Sequence, residues 1–181
     1  DGLDVLRHPP EEPVENGPTF KSNARIKAIA YARATGRICI ADDSGLEVDA
    51  LDGEPGVRSA RWAGVVGSRA QRDAANNRKL VERMVGIPME KRSARFVCAM
   101  CLADPEGRVL AETRGEFAGL IIDSPRGRNG FGYDPYLLLQ EEDRTSAELS
   151  PEEKNARSHR GAAVRAMAQA MSRLGIATGG S

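Results

Sequence analysis

Neither sign of charge is in excess in this chain: 26 lysines and arginines stand against 26 aspartates and glutamates. A polyanion such as DNA meets no net field here, so bulk nucleic-acid binding is disfavoured without a local basic cluster. A membrane-length apolar run is also missing, and Asp1 to His8 show neither the basic start nor the apolar middle of a signal peptide. The expectation is a soluble, cytoplasmic protein with no membrane partner. Cysteine is scarce, with only Cys39, Cys98 and Cys101. The last two form a C-x-x-C, but they lie in the strand-like run Phe96 to Leu102, where residues three apart face opposite sides. No second cysteine pair exists to complete a metal site, so buried, inert thiols are expected. Internal repeats and low-complexity segments are absent, and 181 residues suffice for a single domain over 1–181 with a substantial core.

What is there alternates between helical and extended patterns. Asp1 to Leu6 reads as a short strand, and Pro9, Pro10 and Pro13 mark an irregular connection. From Phe20 to Thr35 an alanine-rich run without glycine or proline predicts a helix stopped by Gly36. Asn23 and Lys27 stand one turn apart on it and share a face, directed either at solvent or at the acidic strand end that follows. A second helix is predicted from Arg69 to Val85, its polar face solvated. Ser93 to Ala103 and Arg108 to Phe117 read as an antiparallel pair joined by the turn Asp104-Pro105-Glu106-Gly107, with a further short apolar piece at Gly119 to Ile122. Ser150-Pro151-Glu152-Glu153 carries the signature of a helix start, and an alanine- and methionine-rich helix runs on to Leu174. Gly175 to Ser181 is a small-residue tail, expected to be mobile.

Two stretches point to chemistry. Ile38 to Ala41 reads as a short buried strand that stops at adjacent carboxylates, Asp42 and Asp43, before Ser44 and Gly45; extended alternation then resumes with Leu46 and Val48 on one face. Paired carboxylates beside a glycine that lets another group approach closely suit a hard cation such as Mg²⁺, although Asp-Asp-Ser-Gly is also ordinary turn chemistry. The second stretch is Phe131-Gly132-Tyr133. Aromatic residues make up 4% of the chain, and two flanking one glycine on an extended segment would share a side and form a slot for a flat ring; the alternative is that both pack in the core.

Four motifs occur in one order: Ala41-Asp42-Asp43-Ser44-Gly45-Leu46, then Pro55-Gly56-Val57 with Ser59-Ala60-Arg61, then Phe131-Gly132-Tyr133-Asp134-Pro135, then Leu149 to Ala156 with Ser158-His159-Arg160-Gly161. In that order the set resembles the inosine/xanthosine triphosphate pyrophosphatase family, over nearly the whole chain from Glu15 to about Leu174. The resemblance implies an α/β fold with a mixed, twisted central sheet flanked by helices, in two lobes with a nucleotide cleft between them, and a homodimer. It implies hydrolysis of non-standard purine nucleoside triphosphates (ITP, dITP, XTP) to the monophosphate and pyrophosphate, with Mg²⁺. Residue by residue, it makes Asp43 the catalytic acidic residue and a metal ligand, sets Ser44 against the substrate, and gives Phe131, Gly132, Tyr133 and Asp134 to the base pocket. Lys154, His159 and Arg160 match the family's substrate-binding residues, and Lys27 falls where a helix lysine meets the phosphates. Where many members carry a metal-binding glutamate this chain has Val14, which makes the neighbouring Glu15 the substitute ligand. Members also begin with a strand and a phosphate-wrapping Thr/Ser-x-Asn-x-x-Lys loop that has no counterpart in these residues, so weak activity is expected of residues 1–181 alone. Two other functions remain open: nucleotide binding without catalysis, and a house-cleaning pyrophosphatase for modified pyrimidine nucleotides.

Overall fold

Thr19 and Ser22 start the first helix by trading hydrogen bonds: Ser22 N–H donates to Thr19 Oγ1 at 3.1 Å and Thr19 N–H to Ser22 Oγ at 3.0 Å. The helix, α1 (Phe20–Thr35), ends where Gly36 takes a left-handed conformation and donates its N–H to Ala32. Both boundaries are those the sequence predicts. The computed structural model describes residues 10–176. The strand expected at Asp1 to Leu6, and residues 177–181 of the small-residue tail, lie outside them.

Among the described residues five strands follow, β1 (Cys39–Val48), β2 (Ser93–Ala103), β3 (Val109–Ile121), β4 (Leu137–Leu139) and β5 (Arg144–Thr145), and their order in the sheet is their order in the chain. Ser93 Oγ donates to Asp49, just past the end of β1, and Arg95 Nε to Glu47 within it; partners fall along the first segment as they rise along β2, the mark of antiparallel strands. A short turn joins β2 to β3, where Asp104 accepts from the backbone N–H of Arg108 at 2.8 Å. The pairs Leu120–Leu138 and Leu138–Thr145 carry the antiparallel register on through β4 and β5. With α2 (Arg69–Met84), α3 (Pro151–Arg157) and α4 (His159–Arg173), the result is an α/β fold: an antiparallel sheet flanked by helices.

Three expectations change here. β1 does not stop at Asp42; it runs unbroken through both carboxylates and the glycine. On a continuous strand neighbours alternate, so Asp42 and Asp43 face opposite sides of the sheet and do not form a converging pair. Ile38 and Ile40, expected to be buried, are 45% and 46% exposed. The apolar piece at Gly119 to Ile122 is likewise no separate element, since β3 extends to Ile121. Gly119 sits inside the strand because a Cβ there would lie 2.5 Å from the carbonyl oxygen of Leu138 on β4.

The chain divides into two compact units. The first takes the described parts of Asp1–Asp43 and Ala163–Ser181 together with Ala99–Arg114. In it, Phe20, Ala24, Ala28 and Ala32 recur at every fourth position and form the buried stripe of α1. Lys21 and Arg25 pair with Glu112 on β3, and Thr113 Oγ1 donates to the carbonyl of Ala163 on α4. Cys98 and Cys101 are fully buried, as expected, and burial pushes the Cys101 thiol up to about 11.

The second unit, Ser44–Cys98 with Gly115–Ala162, holds the main apolar cluster. Leu46 and Val48 of β1, Leu80 and Met84 of α2, Phe96 of β2, Ile121, Leu137 and Leu149 pack there with Trp62 and Tyr133. α2 begins with a capping box between Ser68 and Gln71, and α3 with one between Ser150 and Glu153 plus Pro151 at its first position. Ser158 breaks the helical path between α3 and α4 and accepts from Gly161 N–H, which starts α4 at His159. Among the described residues no helix is long and apolar enough to cross a membrane.

Candidate active site

The first unit gathers Asp43, Lys27 and Glu15. Asn23 is fully buried, and its amide nitrogen donates to Asp43 Oδ2 at 2.9 Å while its oxygen accepts from Gly17 N–H at 2.8 Å. One turn on, Lys27 Nζ lies 2.8 Å from Glu15 Oε1 and 3.9 Å from Asp43 Oδ1. The shared face of Asn23 and Lys27 is thus turned to the acidic strand and not to solvent. Among the described residues no three His, Cys, Asp or Glu side chains gather as a protein-only metal cage. Magnesium does not need one: a hard cation is commonly held by one or two carboxylates, its other positions filled by water and substrate phosphates. Glu15 and Asp43 carry oxygen donors of that chemical kind, and Lys27 Nζ lies beside both.

The second unit contains a pocket of about 600 Å³. β1 supplies Ser44, Gly45 and Leu46, the turn Gly56–Arg61 supplies Ser59 and Ala60, and β2 supplies Phe96. Phe131, Gly132, Tyr133 and Asp134 line it with Lys154, His159 and Arg160, so eight of the expected substrate-binding residues lie around one cavity. Gly45 is there for close approach: a Cβ at this position would fall 2.2 Å from Ser59 Oγ, which accepts from Leu46 N–H at 2.8 Å. The group that approaches the glycine this closely is the neighbouring Ser59.

Phe131 and Tyr133 do not form the expected slot. Gly132 has φ +61° and Tyr133 φ −87°, ψ 1°, so the segment is a turn rather than an extended piece, and its two rings part. Tyr133 is 5% exposed and its hydroxyl donates to the carbonyl of Ser59 at 2.9 Å; burial pushes its ionisation well above the usual range. Phe131 is 55% exposed, and the guanidinium of Arg69 lies 4.0 Å from its ring centre. Asp134 holds the turn from within. Its Oδ2 accepts from Phe131 N–H at 2.8 Å and from Lys154 Nζ at 2.5 Å, and its Oδ1 accepts from Ser146 at 2.7 Å. Opposite, His159 stacks on Phe96 with ring centres 5.3 Å apart, and Arg160 donates to Ser44 Oγ at 3.1 Å.

Arg69, Arg72 and Asp73 of α2 also line the pocket, although the polar face of this helix reads as solvated from sequence. Their spacing puts them on one face, which is the only signal the sequence carries for them. With them, four cationic side chains (Arg69, Arg72, Lys154 and Arg160) face two carboxylates (Asp73 and Asp134), a balance that favours an anionic ligand.

Comparison with known proteins places this arrangement among relatives. The profile of the Ham1 family matches residues 2–170. The dITP/XTP pyrophosphatase of Frankia alni is 52% identical over 159 residues, 87% of this chain and 78% of that protein. The dITP/XTP pyrophosphatase of Corynebacterium efficiens is 50% identical over 177 residues, 94% of this chain and 82% of its own length. Among solved structures, the Ham1 protein of Staphylococcus aureus superposes with a TM-score of 0.83 at 40% identity, covering 92% of this chain and 83% of the other. The dITP/XTP pyrophosphatase of Mycobacterium abscessus does so with a TM-score of 0.75 at 47% identity, covering 94% and 82%.

Proposed function

Because the chain belongs to the Ham1 family, we propose that it hydrolyses non-standard purine nucleoside triphosphates to the monophosphate and pyrophosphate. In this reading water attacks the α-phosphorus, the bond from that phosphorus to the bridging oxygen breaks, and pyrophosphate departs. Asp43 orients the water and takes its proton. The amide of Asn23 holds Asp43 Oδ2, which leaves Oδ1 as the oxygen toward Lys27 and fixes the carboxylate's plane. Lys27 meets the negative charge of the phosphates. Magnesium, held by Asp43 and Glu15, would supply neutralisation of that charge when bound.

The observation that carries the base assignment is the composition of the pocket wall in the second unit. Phe131 offers an exposed ring face, and Arg160 offers only hydrogen-bond donors beside Ser44. A purine with a carbonyl at its 6-position presents an acceptor to such a wall, whereas adenine presents an amino donor. Asp134 serves this surface by holding Lys154 and the backbone of Phe131 in place. The homodimer and cytoplasmic setting that the resemblance implies belong to the same reading.

The test measures pyrophosphate release from inosine, deoxyinosine, xanthosine, adenosine, cytidine and thymidine triphosphates with magnesium present. Preference for the first three is expected. Nucleotide binding without release would favour a non-catalytic protein, and preference for cytidine or thymidine triphosphate would favour a pyrimidine house-cleaning enzyme.

A further inference from the structure

One face of α2 grips the turn that carries Phe131. Arg69, Asp73 and Asn77 are spaced four residues apart and so lie in one row. Asp73 Oδ2 accepts from the backbone N–H of Gly132 at 3.1 Å, while Asn77 Nδ2 donates to the backbone carbonyl of the same glycine at 3.0 Å. Both polar backbone groups of Gly132 are therefore held from one helix, and Gly132 is the residue whose φ of +61° turns the chain between the two aromatics. At the other end of the row, the Arg69 guanidinium covers one face of the Phe131 ring. Asp134 fixes Phe131 N–H from the opposite side of the turn.

We propose that Asp73 and Asn77 are positioning residues for the nucleobase, a brace that sets the Phe131 ring and determines base affinity without touching phosphate chemistry. This rests on reading the pocket as a nucleobase site. The reason is one of degrees of freedom. A left-handed glycine is a soft joint, because glycine populates several backbone regions at little cost. An exposed ring hung beside such a joint has a fixed orientation only if the joint is tied at both ends. Arg69 stands 4.0 Å and Lys154 Nζ 5.6 Å from the Phe131 ring centre, so a flat ligand stacks on the part of the ring that these two cations leave open.

Asp73→Ala removes one tie, and Asp73→Asn restores an acceptor of the same shape. Calorimetry with inosine monophosphate reads the base site, and calorimetry with inorganic pyrophosphate reads the phosphate site. Loss of one hydrogen bond predicts that Asp73→Ala weakens inosine monophosphate about ten-fold and leaves pyrophosphate within about two-fold, with Asp73→Asn near the wild type. In turnover of inosine triphosphate the change appears in KM and much less in kcat. Hydrogen exchange over residues 130–134 should rise in Asp73→Ala and return in Asp73→Asn. Unchanged inosine monophosphate affinity in Asp73→Ala, or equal weakening of both ligands, overturns the brace. A wild type that binds inosine monophosphate but hydrolyses no triphosphate overturns the proposed reaction and leaves the brace standing; one that binds neither overturns both.

Discussion

Asn23 Nδ2 stands 2.9 Å from Asp43 Oδ2, and Asn23 is fully buried. A buried amide that spends its donor on a carboxylate and its acceptor on Gly17 N–H is a fixed object, and it makes Asp43 one too. Asp43→Asn keeps the shape and removes the charge. The expected outcome is loss of most pyrophosphate release with a melting temperature close to the wild type. Turnover near the wild-type level in this variant would remove Asp43 from catalysis.

Gly45 and Ser59 give a prediction about stability. A methyl group at Gly45 would meet Ser59 Oγ at 2.2 Å and the carbonyl of Gly56 at 2.9 Å, and the serine cannot retreat without releasing Leu46 N–H. Gly45→Ala should therefore cost about 1–3 kcal/mol, the usual range for overpacking. Urea titration of both proteins measures it, and a change below about 0.5 kcal/mol would show that the turn at Ser59 yields freely.

Arg160 is the side chain to test for base choice. Its donors suit a 6-carbonyl and oppose a 6-amino group; Arg160 is exposed here, and once a bound base covers it a donor left unpaired costs on the order of 1–3 kcal/mol. Comparing kcat/KM for inosine and adenosine triphosphates in Arg160→Ala should show a steep loss for inosine and a much smaller one for adenosine. An unchanged ratio would move discrimination to the backbone around Phe131.

Glu153 links acid stability to the helix that carries Lys154. Arg144 donates to both of its carboxylate oxygens, at 3.0 and 2.8 Å, and Ser150 N–H donates to Oε2; the Arg144 hydrogen bonds lead in holding the carboxyl down at about 2. With the folded value depressed, the contribution is complete above the ordinary value near 4.5 and is lost as pH falls toward 2. Glu153→Gln should flatten the fall of melting temperature between those limits, and an acid limb identical to the wild type would show that other carboxylates set it. The effect is expected to be modest, because the group is exposed and solvent screens it.

The sequence by itself determined the local elements and the roster of chemistry. Capping residues at Thr19, Ser68 and Ser150, and Gly36 after Thr35, delimit helices through bonds made within a few positions, so their boundaries can be read along the chain. Four ordered motifs pointed to a family that comparison then bore out. Tertiary structure alone decided the rest. Whether β1 continues through Asp42 depends on a neighbouring strand to pair with; local composition, equally suited to a turn, cannot show it. Which ring of Phe131 and Tyr133 is buried depends on the carbonyl of Ser59, 74 residues away from Tyr133. The polar face of α2 reads as solvated because helical periodicity separates polar from apolar but does not say what lies opposite. Only the folded chain brings Gly132 to Asp73 and Asn77, and turns part of an ordinary charged face into the wall of a pocket.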